Sequence, residues 1–186
     1  MDAGRQRLSL DRLPYAKRLE LERRDEASRV ASLLAIELVL QGAGSVSGRS
    51  FLPADLLYLP GGKPVLRSGP FLSISHSRRR VAVAVSRGLE IGLDLEDRVA
   101  GTPDEFERLL HWTAVEAVLK AAGAGIRDAR RVEITGDGGA ASLDGVAYSL
   151  LQPALDDDVV CRLASPEPGA ELVISEVPAA PPRPAA

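Results

Sequence analysis

The sequence predicts an α+β protein built as two similar lobes with a cleft between them. A long helical pattern followed by strand-like runs occurs twice, and the break between the two series falls near Arg87. Size agrees, since 186 residues suffice for one sizeable core or for two small lobes sharing one. The expected division is an N-terminal lobe at 1–87, a C-terminal lobe at 88–177 and a tail at 178–186. Each lobe is expected to pack an antiparallel sheet on a long helix.

The elements follow in order. Residues 25–41 read as a helix: Asp25 can cap it, and Ala27, Val30, Ala31, Leu34 and Leu38 form an apolar stripe of period 3.6. Gly42 and Gly44 are read as its end. Residues 81–85, Val-Ala-Val-Ala-Val, form a short buried strand. Ser86, Arg87 and Gly88 then turn the chain into residues 89–96, which predicts a hairpin. Thr102 caps a second helix, Pro103 suits its first turn, and the pattern runs to about Ala122. Phe106, Leu109, Leu110 and Val118 bury one of its sides, and Gly123 and Gly125 end it. Strand-like stretches at 131–135, 147–151, 158–164 and 172–177 predict an antiparallel sheet, with turns at 136–139 and 156–158. Residues 178–186, with Pro-Pro-Arg-Pro, cannot build a core and are expected to be disordered.

Composition excludes several function classes. With 23 Lys and Arg against 26 Asp and Glu, the net charge of −3 lacks the basic excess of a nucleic-acid binder. Aromatic residues make up 4%, too few for a base-stacking surface. The single Cys161 excludes an internal disulfide, fits a reducing cytoplasm, and lies in an apolar run that marks it as a core residue rather than a nucleophile. No secretory signal follows Met1 and no run approaches a membrane span. Cytoplasmic location and no membrane partner are the expectations.

The most informative pattern is acidic. Asp94 and Glu96 lie two apart in Gly-Leu-Asp-Leu-Glu, so on a strand they share one face. Glu116 and Lys120 lie four apart, so on a helix they share one face. Convergent carboxylates beside a cation suit Mg²⁺ and a phosphate, because oxygen-only ligation leaves positions open for water and substrate. Taken separately, each piece is more often a solvated strand edge or a surface ion pair; their neighbours shift that balance. Upstream stand Gly62-Lys63-Pro64 and Ser75-His76-Ser77. Trp112-Thr113 precedes Glu116-Ala117 and Lys120, and Gly123 and Gly125 follow.

This ordered series resembles the 4′-phosphopantetheinyl transferases, in particular the larger Sfp-like group, over about residues 60–125. The resemblance implies a pseudo-twofold, two-lobed fold acting as a monomer. It implies transfer of the phosphopantetheine arm of coenzyme A to a serine hydroxyl of an apo acyl or peptidyl carrier protein, with Mg²⁺. By the same resemblance Asp94, Glu96 and Glu116 are metal ligands, and Lys120 touches the coenzyme A diphosphate. Ser75 and His76 match a pair at the 3′-phosphate, Lys63 and Pro64 the stretch beside the adenine nucleotide, and Arg29 loosely an arginine near the 3′-phosphate. Attack on phosphorus builds charge on the equatorial oxygens, which preorganised cations stabilise. The serine proton can go to Glu116 or to a water.

Two departures stand out. Val115 occupies the place of a lysine usual in that family, and only fifteen residues, 97–111, separate Glu96 from Trp112 where larger relatives carry a longer, carrier-docking insert. The alternative reading is therefore a weak or inactive homologue that binds coenzyme A or a carrier protein without transfer. Among the remaining residues, Trp112 is expected in the core. Arg78, Arg79 and Arg80 are expected to form a solvated basic turn, or else to meet an acidic carrier.

Overall fold

The computed structural model describes residues 8–166. The predicted strand at 172–177 and the tail at 178–186 lie outside the described residues.

The first half is led by two helices, α1 (Tyr15–Glu22) and α2 (Glu26–Ser47). Asp25 caps α2 as expected, its carboxylate accepting from the Ser28 N–H at 2.9 Å. The helix does not stop at Gly42 and Gly44 but runs on to Gly48, which closes it in a left-handed conformation. Gly42 has a packing reason to be there: a β-carbon would stand 3.0 Å from Val85 Cγ2, so its absence lets α2 press onto the strand beneath. The apolar stripe is also not the buried one. The helix packs through Ile36, Val39 and Ala43, on the side opposite Leu34 and Leu38, and Val30 is 50% exposed. Because α2 is apolar around most of its circumference, periodicity alone could not choose its inner face. Its length and composition would also let it cross a membrane, against the expectation that no run would. Its Ile36–Val39–Ala43 side lies instead in the protein's own core.

Two short antiparallel ribbons follow. Strands β1 (Leu56–Tyr58) and β2 (Pro64–Leu66) pair with each other, as do β3 (Phe71–His76) and β4 (Val81–Ser86). One face of the β3–β4 ribbon, with Leu72, Ile74, Val83 and Val85, packs against α2. On its other face, Ala82 and Ala84 meet Leu93, Leu95 and Cys161.

The expected hairpin from β4 into the next strand is not formed. Strand β5 (Gly92–Asp97) pairs with β9 (Val159–Ser165), the last strand described. Between them in sequence lie α3 (Pro103–Ala122), β6 (Val132–Thr135), β7 (Ala140–Leu143) and β8 (Val146–Leu151). These complete an antiparallel five-stranded sheet of order β5-β9-β8-β7-β6. The fold is thus α+β with antiparallel sheets, as predicted. Strand β7 was not foreseen, since Ala-Ala-Ser-Leu carries little strand propensity. Its signal was the turn after it: Asp144 and Gly145 have φ of 54° and 81°, the two left-handed residues of a tight hairpin.

Helix α3 begins where the sequence placed it. Thr102 accepts from Glu105 N–H, while the Glu105 carboxylate accepts from Thr102 N–H at 2.7 Å. Gly123 ends it. Its apolar side, with Ala114, Val115, Ala117, Val118 and Ala121, covers Ala141, Leu143, Tyr148, Leu150 and Ala164 of the sheet. Cys161 is buried on β9, beside Leu95 of β5, as expected of a core residue, and burial pushes its thiol up to about 12, which keeps it protonated and inert.

Candidate functional site

Strand β5 and helix α3 bring the acids together through a glycine. A β-carbon on Gly92 would lie 1.9 Å from the Ala117 carbonyl oxygen and 2.3 Å from the Ala121 nitrogen. The helix therefore rests directly on the strand backbone. Two residues on, Asp94 shares the Gly92 face and lies beside Glu116 and Lys120.

Asp94 is 2% exposed. Its Oδ1 accepts from Lys120 Nζ at 2.5 Å and from the Ser75 hydroxyl at 2.9 Å. Its Oδ2 is buried and accepts no N–H or hydroxyl hydrogen bond among the described residues, while the Glu116 carboxyl lies within hydrogen-bonding reach of Asp94. Lys120 also lies 3.9 Å from Glu116. Both flanking acids titrate above the ordinary glutamate range: Glu96 first from burial and then from the charge of Asp94, Glu116 from the same two causes in the same order. Three carboxylates thus share one ammonium, an excess of negative charge in a poorly solvated place.

That arrangement fits a divalent cation. A buried carboxylate oxygen that accepts no N–H or hydroxyl bond is costly unless something else satisfies it, and the donor set is the all-oxygen one that Mg²⁺ prefers. Among the described residues no group of three His, Cys, Asp or Glu side chains is placed to hold a metal ion. The positive charge in the site is the Lys120 ammonium, seated on Asp94.

The other expected residues are distributed unevenly. Lys63, on the turn between β1 and β2, crosses to the end of α3, where its Nζ lies 2.5 Å from Glu90 and donates to the Ala121 carbonyl at 3.1 Å. A cation at a helix C-terminus is favoured by the partial negative charge of the last carbonyls. Pro64 starts β2, opposite Tyr58. Ser75 is buried with its hydroxyl fully engaged, whereas His76 is exposed at the end of β3, on the opposite side of the strand. Arg29 lies in the first turns of α2, and no hydrogen bond or ion pair joins its side chain to the acids among the described residues.

Two further expectations change. Trp112 is not core but 39% exposed, on the same face of α3 as Glu116 and Lys120 by its spacing of four. Arg79 and Arg80 are not simply solvated: Arg79 pairs with Asp158 at 3.0 Å, and Arg80 with Asp156 and Asp158 at 3.1 and 2.6 Å. The aspartate run at 156–158 thus clamps the β3–β4 turn, a pairing across some eighty residues that local sequence cannot reveal. Val115 is 3% exposed in the core between α3 and the sheet, turned away from the acids. A lysine there would bury its charge rather than reach a phosphate. Val115→Lys is expected to cost about 3 kcal/mol or more at neutral pH, read as a fall in the denaturation midpoint; an unchanged midpoint would show that the side chain escapes the core.

No protein-family model matches the chain. Among curated proteins it is similar to 4′-phosphopantetheinyl transferase HetI of Nostoc sp. strain PCC 7120, at 31% identity. The match takes in 55% of this chain and 56% of that protein, so the chain spans little more than half of the relative's length. Similarity to a phosphopantetheinyl transferase thus stands beside a site of clustered acids and lysine.

Proposed function

We propose that the protein is a Mg²⁺-dependent 4′-phosphopantetheinyl transferase. It transfers the arm of coenzyme A to a serine hydroxyl of an apo acyl or peptidyl carrier protein and releases 3′,5′-ADP. The observation that carries this reading is the buried Asp94 carboxylate, whose Oδ2 accepts no N–H or hydroxyl hydrogen bond among the described residues, within an acid cluster that also holds Lys120. The similarity to HetI supports it. In this reading the halves 1–87 and 88–177 are the two lobes of a cytoplasmic monomer.

Asp94, Glu96 and Glu116 would hold the Mg²⁺, which when bound supplies positive charge against the diphosphate. Lys120 adds a second cation from the same helix face, and Lys63 offers a third at the end of α3. His76, exposed at the strand end, is free to meet the 3′-phosphate. The serine proton goes to Glu116 or to a water, and a hold on Mg²⁺ by Glu116 would favour the water.

The test is the intact mass of several apo carrier proteins after incubation with the protein, coenzyme A and Mg²⁺, with and without chelator. A gain of one phosphopantetheine that chelator abolishes is expected. No gain on any carrier, with coenzyme A still bound, would overturn transfer in favour of a binding protein, the reading that the short segment between Glu96 and Trp112 favours.

A further inference from the structure

Strands β3 and β5 belong to different sheets, yet they lie side by side and are joined by side chains. The Leu93 N–H donates to the Ser73 hydroxyl at 2.9 Å, and the Leu95 N–H donates to the Ser75 hydroxyl at 3.2 Å. The Ser77 hydroxyl donates to Asp97 at 2.8 Å. The offset is constant at twenty residues, so the strands run in the same direction. Alternate serines of β3 therefore do for the free edge of β5 what a neighbouring backbone would do. Without them, buried N–H groups of β5 would lack partners.

Ser75 is the member of this series with more than a stitching role. Besides accepting from Leu95, its hydroxyl donates to Asp94 Oδ1 at 2.9 Å and accepts from Lys120 Nζ at 3.1 Å. One hydroxyl has one proton and two lone pairs, and all three are used. It has nothing left to offer an arriving phosphate. It fixes one oxygen of Asp94, while the other, Oδ2, accepts no N–H or hydroxyl hydrogen bond among the described residues. Its neighbours on the same face, Ser73 and Ser77, touch neither Asp94 nor Lys120.

We infer that Ser75 is a positioning residue: it holds the Asp94 carboxylate and the Lys120 ammonium in register so that Asp94 Oδ2 is presented to a divalent cation, and it does not itself bind the phosphate of the substrate. This role deepens the function proposed above and rests on Asp94 being a metal ligand. Groups that orient a ligating carboxylate commonly govern metal affinity as strongly as the ligands themselves.

The test uses Mn²⁺ as the probe, on the full chain without coenzyme A, reading free Mn²⁺ by electron paramagnetic resonance. A parallel titration measures 3′,5′-ADP binding by calorimetry in the presence of chelator. Ser75→Ala is expected to weaken Mn²⁺ binding by about 10-fold or more while leaving 3′,5′-ADP binding unchanged. Ser73→Ala loses the equivalent stitch to β5 but should leave Mn²⁺ binding at the wild-type level. Should Ser75→Ala not fold, Ser75→Cys keeps the volume and weakens the hydrogen bonds, and the same readings apply. Wild-type Mn²⁺ affinity in the Ser75 variant, or a loss confined to 3′,5′-ADP, would overturn the positioning role alone. Absence of Mn²⁺ binding by the wild-type protein would overturn the metal reading, and the positioning role with it.

Discussion

Asp94→Ala is expected to abolish the proposed metal-dependent transfer, a loss of at least about 10³-fold in turnover, with the fold retained. Asp94 is the one acid of the three that is almost wholly buried, and among the described residues its Oδ2 accepts no N–H or hydroxyl hydrogen bond. Removing it takes away a proposed metal ligand and also the anchor of Lys120. Stability should suffer little. A buried carboxylate whose second oxygen accepts no N–H or hydroxyl bond carries a desolvation cost that the substitution relieves, offsetting the lost bonds to Ser75 and Lys120. The partly exposed Lys120 can turn to water, so no charge is stranded. Turnover on an apo carrier and the urea midpoint, measured on the same preparation, decide the matter. Turnover near the wild-type rate would remove Asp94 from the site.

Gly92→Ala should act the other way round, through the fold. The added methyl meets backbone atoms, the Ala117 carbonyl and the Ala121 nitrogen, at distances no side-chain rotation can relieve. Helix and strand must separate, at a cost of about 3 kcal/mol or more for overpacking against rigid neighbours. The measurement is the urea midpoint, with Gly88→Ala as the comparison because nothing lies within 4 Å of a β-carbon there. Equal midpoints for the two variants would mean that the strand and helix are not in backbone contact. The glycine of Gly-Leu-Asp-Leu-Glu is thus explained by packing: its missing side chain sets how near Asp94 comes to Glu116 and Lys120.

These two residues mark what the sequence could and could not show. The acids and Lys120 were legible because strand and helix periods are local: two apart on β5, four apart on α3. Thr102, Pro103 and Gly123 framed α3 for the same reason, since caps act within one turn. What failed was non-local. Whether Gly42 ends a helix or lets it lean on Val85 depends on a strand some forty residues away. Whether β5 pairs with β4 or with β9 depends on a partner beyond residue 158. Trp112 was misplaced because a large apolar side chain is usually buried, and nothing in its neighbourhood announced that the segment before it would leave it uncovered. Val115 was legible as a valine but not as a core residue. Only the sheet beneath α3 gives it an inward face.

The crossing of Lys63 to the far end of α3 has a consequence for recognition. A free lysine on a surface turn samples many rotamers, and an anion that captures it must immobilise the whole side chain, at a cost of about 1–2 kcal/mol in lost freedom. Here that freedom is already gone, because Glu90 and the Ala121 carbonyl hold the ammonium in place. The loss is borne once, when the chain folds, and not again at each encounter with an anion. The same grip ties the β1–β2 turn to α3, so a ligand resting against this lysine meets a surface whose two sides are already joined.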